Sequence, residues 1–412
     1  MKNTQLNMES IMKNKIIIWY GRLFSKNGYS VVTRNYIECL KSISANFCAI
    51  DSESKEVFFY GEKTRENFKK ISHNTKDRYV DIVSNNKNIE LVFISHEVPE
   101  NFPKIKSNVH YKSLFYVVAE VSPVPDTWVE IINRECSELL TSSTYCKDIF
   151  LNSGINVPIK IIPHSIDIKS FSNYKKNVTF SFYDIAQEES KNLVNSKFKE
   201  KFFLSVISNF NRKDPALLIQ SYLNSKIGLE GHSLIIKLPY PISQSALEGH
   251  FYCRFGGKEA FKKVCKGNNI YILSSSLTDS QMHSMLNFSD FFFSVERAKG
   301  WDMNAMEALA LGIPTISVDY SASQEFLNTE NSLLIPSHGT ILADMSLYGN
   351  SILYAGRRWA NTRSYDIENC LKEAASMSED KYLSMSLQSF KKACLYDNPI
   401  VGKHIYSIAF PN

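Results

Sequence analysis

The sequence predicts an α/β protein built from two doubly wound domains in series. Three observations lead there. Short apolar runs of strand length recur along the chain, segments with helical periodicity separate them, and the alternation restarts after a polar stretch at about 172–199. Runs that are apolar throughout suit parallel strands buried on both faces. Strand and helix in alternation imply helices packed over a mostly parallel sheet.

The first series opens with Ile16–Trp19, a run that ends at Gly21. A glycine-containing loop and a helix over Val31–Ser42 follow. Further strands are expected at Val57–Tyr60, Leu91–Ser95, Phe115–Ala119, Leu139–Ser142 and Ile159–Ile162. Helices are expected at Asp126–Asn133 and Thr144–Ser153. The 172–199 stretch carries no strong strand and reads as a linker. The second series runs through strands at Phe202–Ile207, Leu234–Leu238, Ile270–Leu273, Phe291–Ser294, Thr315–Val318 and Ser332–Ile335. Its helices are expected at Pro215–Ser225, Gly257–Lys266, Asp279–Asn287 and Asn304–Leu311, and residues 340–396 read as mostly helical. The expected division is 1–178 and 179–412. Ligands of open α/β sheets lie beyond the carboxyl ends of the strands, so two such domains facing each other make a central cleft.

Composition narrows the function. The 412 residues carry 47 Lys+Arg against 42 Asp+Glu, a net charge of +5. That is mild for this length and does not point to nucleic acid. The eight cysteines form no C-x-x-C pair, so buried free thiols are expected and a metal site is not. The apolar run at Ile16–Tyr20 is shorter than a signal core of roughly 7–15 residues. No stretch approaches the roughly 20 apolar residues of a membrane span. A cytoplasmic chain is expected, its charge compatible with peripheral contact at the inner face of a membrane.

Residues 294–315 carry the strongest chemical signal. A strand ends at Ser294, a loop with Gly300 follows, and a helix starts near Asn304 with Glu307 in its first turn. Gly312 is placed to close the helix, with Pro314 beyond it. A strand-end loop feeding a helix N-terminus favours phosphate. A carboxylate one turn in is suited to a ribose diol.

This segment resembles the donor-site motif of GT-B glycosyltransferases, above all glycosyltransferase family 4, with the pattern E-G-[FW]-[GD]-x-x-x-x-E-A-x-A-x-G-x-P. Gly300, Trp301, Asp302, Glu307, Ala308, Ala310, Gly312 and Pro314 match. The resemblance gives Glu307 the nucleotide ribose, and Gly300, Trp301, Asp302 and Met303 the diphosphate and sugar. Lys299 stands where the family has its first Glu, and Glu296 lies three residues earlier. Lys299 would pair with a diphosphate or an acidic sugar, or would mark weakened catalysis.

Three further stretches are similar to the family. Residues 116–171 contain a strand ending in Glu120, then Pro125 to Trp128, Ser142-Ser143, Gly154 to Pro158, and Ile162-Pro-His-Ser-Ile-Asp167 before Phe171. Arg212-Lys213-Asp-Pro215 resembles the first loop of the C-terminal domain, where two cations would neutralise a diphosphate leaving group. Lys237, ending the next strand, is a weaker phosphate candidate. Gly21 to Ser30 resembles the family's first glycine loop, with Arg34 after it, and Gly28 would allow close backbone approach. Glu120 stands where many members have a cleft histidine and would act on the acceptor or the donor sugar. His96 is a second candidate there, and His164 reads as structural.

The resemblance implies a GT-B fold of two Rossmann-like domains, the first binding the acceptor and the second the nucleotide sugar, with the final helices crossing back to the first. It implies a metal-independent, retaining glycosyltransferase, with no cofactor beyond the nucleotide-sugar donor. The acceptor would be a saccharide or lipid-linked glycan, and the setting bacterial surface polysaccharide or lipopolysaccharide assembly. The alternative is a degenerate, non-catalytic nucleotide-sugar-binding protein, which Lys299 motivates.

Overall fold

A computed structural model describes residues 14–25, 27–74, 78–171, 180–184, 186–193, 200–207, 210–238, 252–343 and 354–411. The chain divides into two compact units. One comprises Met1–Asp167 with Tyr396–Asn412, the other Ile168–Leu395.

The first unit holds a seven-stranded sheet in the spatial order Ile159–Ile161, Glu138–Thr141, Tyr111–Tyr116, Glu90–His96, Lys15–Gly21, Phe47–Asp51, Val57–Tyr60. All neighbours are parallel except the last pair. Lys15–Gly21 is buried almost throughout, as its unbroken apolar run requires. The chain's last helix, Asn398–Ala409, packs on the Gly28–Ser42 helix of this unit. The contact is close enough that a Cβ at Gly402 would press into the Cys39 carbonyl.

The second unit holds eight strands in the order Glu189–Asn192, Ser181–Asp184, Ile270–Ser274, Ser233–Leu238, Phe202–Val206, Phe291–Ser294, Thr315–Val318, Ser332–Ile335. The last six are parallel. A hydrophobic cluster packs one face of this sheet against the helices Pro215–Ser225, Ser364–Ala375 and Glu379–Cys394.

Several expectations are corrected. Phe47–Asp51 is a fully buried strand that the sequence hid. The turn before it is made by Ser44 at φ 56 rather than by a glycine, so the usual punctuation is missing. The strand expected at Phe115–Ala119 is Tyr111–Tyr116. Its first half is polar because Lys112 pairs with Glu138 across the sheet at 2.8 Å. Phe68–Asn74, Tyr79–Ser84 and Lys104–Ser107 form a small separate sheet that was not expected. The polar linker contains the antiparallel pair Ser181–Asp184 and Glu189–Asn192, which edges the second sheet and so tolerates polar residues. The rest of that stretch, 172–179, 185 and 194–199, lies outside the described residues. In the supposedly helical end, Thr340–Leu342 pairs with Arg358–Ala360 before the helices begin.

Candidate functional site

In the second unit the chain order reverses at Phe202–Val206, which lies between Ser233–Leu238 and Phe291–Ser294. Loops leaving the carboxyl ends of strands at such a reversal are where ligands of open sheets bind. The loops after Phe202–Val206 and Phe291–Ser294 carry Arg212, Lys213, Glu296 and Lys299, so the sequence's phosphate candidates do meet.

They meet as ion pairs. The Arg212 guanidinium pairs with Glu296 and donates to the Ala298 carbonyl at 2.6 Å. The Lys213 ammonium lies 3.7 Å from the other Glu296 oxygen and donates to the Val206 carbonyl at 2.9 Å. Arg297 pairs with Asp214 at 2.6 Å. Asp214 also caps the Pro215–Ser225 helix, accepting from the Leu217 amide.

Lys299 sits elsewhere than the resemblance placed it. Its side chain is fully buried, with Nζ 2.5 Å from Asp302 Oδ2 and 2.8 Å from Ser317 Oγ. Asp302 is the N-cap of the Met303–Ala310 helix, its Oδ1 accepting from the Ala305 amide at 3.1 Å. Burial works to raise the Asp302 carboxyl, but the Lys299 and Lys213 ammonium groups and the Ala305 amide hold it below the usual range. The helix end expected to receive phosphate therefore already has one amide met by its own aspartate. Gly300 is buried, Met303 is half-buried, and Trp301 packs on Phe326 with ring centroids 4.9 Å apart.

Glu307 lies at the start of the second turn, not in the first, because the helix begins at Met303. It is half-buried, and among the described residues it forms no ion pair with a cation. Burial pushes its carboxyl up to about 8, and the Asp279 and Asp302 carboxylates add to the shift. The helix closes as expected. Gly312 takes φ 69, its amide reaches the Leu309 carbonyl, and the Ile313 amide reaches Ala308. Lys237 is buried, its ammonium donating to the carbonyls of Leu238 at 2.5 Å and Ser275 at 2.7 Å. Burial brings it down to about 8.

The first-unit candidates separate. Gly28 is exposed at the start of its helix, and a Cβ there meets nothing within 4 Å, so the glycine is not required by the fold. Arg34 holds the preceding loop through the Leu23 carbonyl at 2.9 Å. Glu120 is half-buried, its carbonyl accepting from the Tyr145 hydroxyl at 3.0 Å. His96 ends the Glu90–His96 strand, fully buried against Tyr29, Tyr36 and Tyr116 and 2.9 Å from Thr33 Oγ1. Burial lowers its pKa to about 3, so the ring is neutral. His164 is buried beside Tyr36 and Tyr116. Trp128 of the P-x-x-W stretch donates to Glu100 at 2.8 Å, a structural contact.

Sequence reasoning underweighted Glu296, which binds both candidate cations, and passed over Asp279 and Ser317. Glu296 stood in view as the acid nearest the family's Glu position. Nothing in a linear sequence pairs it with Arg212, because the pairing comes from two strands being neighbours. Among the described residues, no group of three or more His, Cys, Asp or Glu is placed to hold a metal, and no helix is long and apolar enough to cross a membrane.

No protein-family model matches the chain. A protein of Acidianus filamentous virus 1, ORF313, named as a candidate glycosyltransferase, is 26% identical over 136 residues, 32% of this chain and 40% of the relative's length. The apo structure of OtsA, a trehalose-6-phosphate synthase, matches at a TM-score of 0.61 and 10% identity, over 97% of this chain and 99% of that one. TarM of S. aureus, in a complex containing UDP, matches at 0.54 and 12%, over 87% of this chain and 68% of its own. At such identities the likeness speaks for the fold alone: two Rossmann-like α/β units of the kind found in GT-B glycosyltransferase structures.

Proposed function

We propose that the chain is a metal-independent, retaining glycosyltransferase of the family 4 type. It would move a sugar from a nucleotide-sugar donor to a saccharide or lipid-linked glycan, in bacterial surface polysaccharide assembly at or near the inner face of a membrane. The observation that carries this reading is Glu307. A half-buried carboxyl that forms no ion pair among the described residues has hydrogen-bonding capacity to spare. It stands in the motif position that the family uses for the nucleotide ribose. TarM's complex with UDP supports the donor class.

The chain's own groups would divide the work. Arg212 and Lys213 both pair with Glu296 beyond the strand ends, where they would stabilise a departing diphosphate. Stabilising charge at the leaving group is the large term in such a transfer. No nucleophile is assigned. A same-face displacement, in which the leaving phosphate takes the acceptor's proton, fits that arrangement. Lys299, bonded to Asp302 and Ser317, holds the helix cap instead of touching the sugar. Glu120 remains the first-unit candidate for contact with the acceptor.

The buried Lys299–Asp302 pair favours one second reading, a protein that binds nucleotide sugar without turnover. A calorimetric titration with UDP, GDP, CDP and CMP and their sugars, on the wild type and Glu307→Ala, tests the donor site. Binding of one nucleotide that is lost in the variant supports it, and no binding by any of them sinks it. Donor binding with no transfer to any supplied acceptor would select the second reading.

A further inference from the structure

The first unit has its own chain reversal, between Lys15–Gly21 and Glu90–His96. Gly21 is paired with His96 on one side and with Asp51 on the other. The next residues, Arg22, Glu97 and Ser52, therefore emerge side by side beyond three parallel strands. They floor a pocket of ≈ 170 Å³, with Glu53 at its edge. Tyr20, His73 of the small separate sheet, Arg78 in the turn before its Tyr79–Ser84 strand, and Asn101 complete the wall.

The floor is tightly bonded. Arg22 Nε donates to Glu97 at 3.1 Å, Arg22 Nη1 lies 3.3 Å from Glu53, and the Ser52 hydroxyl donates to Glu97 at 2.5 Å. The Glu97 side chain is only 3% exposed. The Tyr20 hydroxyl lies 3.2 Å from His73 Nε2. Burial raises the Tyr20 pKa, so the phenol keeps its proton. His73 Nδ1 is buried with no hydrogen-bond partner among the described residues. Burial also lowers the His73 pKa, leaving the ring neutral.

Two guanidinium groups thus face two carboxylates around a neutral ring, and the pocket wall has no net charge. A phosphate there would meet Glu53 and Glu97. A hydroxyl, donor and acceptor at once, satisfies a carboxylate and a guanidinium together. The pocket volume lies below the roughly 300–1,000 Å³ of a drug-sized site. That suits one sugar ring.

We propose that this pocket binds one uncharged hexose unit and rejects sugar phosphates. This rests on the transferase reading, in which the hexose would be the end of the acceptor, but binding itself needs no nucleotide. Saturation-transfer NMR on the full chain, without nucleotide, would use methyl glucoside, methyl galactoside and methyl mannoside against glucose 6-phosphate and galactose 6-phosphate. At least one glycoside should bind about tenfold tighter than either phosphate. Glu97→Gln should weaken it by about tenfold or more, as loss of a hydrogen bond to a charged group does. Should Glu97→Gln not fold, Arg78→Ala, at an exposed position, should weaken binding several-fold. Tighter binding of a phosphate, no binding of any glycoside, or binding that neither variant changes would overturn the proposal. Glycoside binding in a protein that binds no nucleotide would sustain the pocket and sink the transferase reading. Nucleotide binding without glycoside binding would do the reverse.

Discussion

Both units place an arginine beyond one central strand and a glutamate beyond its neighbour, and both join the two in an ion pair whose glutamate is buried. In the first unit the pair is Arg22–Glu97, in the second Arg212–Glu296. What surrounds each pair differs. Around Arg22 the charges balance, and space is left beside them. Around Arg212, four cations (Arg212, Lys213, Arg297 and Lys299) face three carboxylates (Asp214, Glu296 and Asp302). Lys237 stands nearby on the adjacent strand. On the two proposals, the same backbone device would support two kinds of recognition, and the local charge surplus would separate a site for an anion from a site for hydroxyls.

The largest expected effect breaks the second-unit cluster. Arg212→Met with Lys213→Met should slow transfer by about 10²–10³-fold, the usual cost of removing a charge-stabilising contact. Turnover with saturating donor reads this out. A double variant with near-normal turnover would make the cluster structural. Arg22→Met should leave nucleotide affinity unchanged and act on acceptor KM. The next effect is on stability. Glu296→Gln leaves Arg212 and Lys213 at the broken pair, at a cost of ~3 kcal/mol, and Glu97→Gln costs less because Arg22 is partly exposed and keeps Glu53, both measured by urea unfolding. Saturating UDP should restore much of the loss in Glu296→Gln, where a diphosphate replaces the missing negative charge, and none in Glu97→Gln. Equal rescue, or none, would erase the distinction between the two sites.

A third effect, again of a few kcal/mol, belongs to Glu307. Its carboxyl is held up at about 8 in the folded chain, against an ordinary value of 4.5. Between those two pH values the folded state binds the extra proton, so stability should fall as pH rises through the window and be flat outside it. Glu307→Gln should remove that slope and so be more stable than the wild type at pH 8.5, but not at pH 4. Unfolding free energies at the two pH values check this. An unchanged slope would mean that Glu307 is solvated and ionised.

Much of the fold was legible because parallel strands buried on both faces write themselves as apolar runs. Ile16–Trp19, Phe202–Ile207, Leu234–Leu238 and Phe291–Ser294 were found for that reason. The misses share the opposite property. Phe68–Asn74, Ser181–Asp184 and Glu189–Asn192 lie at edges or in the small sheet, where half-exposed strands carry charge. Phe47–Asp51 lacked a glycine at its turn. The site was legible in part. Motif spacing singled out Glu307 and Gly312, and chemistry singled out Arg212 and Lys213, whose roles are those proposed above. The fate of Lys299 was not legible, because Ser317, which holds it, comes from the neighbouring strand. The first-unit pocket was equally hidden. It depends on His73 in the unexpected sheet and Arg78 in the turn beside it, and on Glu97, which no motif marks.

The smallest effect compares two glycines that the sequence treated alike, as parts of family motifs. Gly312 has φ 69, and a Cβ there would lie 2.8 Å from Ser386 Oγ. Gly312→Ala therefore carries both left-handed strain, about 1–2 kcal/mol for an L-residue, and a clash with the Glu379–Cys394 helix. Adding Ser386→Ala should recover the clash but not the strain. Gly28 has open space around its Cβ position and no positive φ. Gly28→Ala, at the start of a helix, should stabilise by roughly 0.4–1 kcal/mol by stiffening the unfolded chain. Thermal melts of the variants decide it. If Gly28→Ala also leaves nucleotide affinity intact, the first glycine loop plays no part in binding the donor. If affinity falls while stability rises, the open space at Gly28 is ligand space, and the loop regains the role the resemblance gave it.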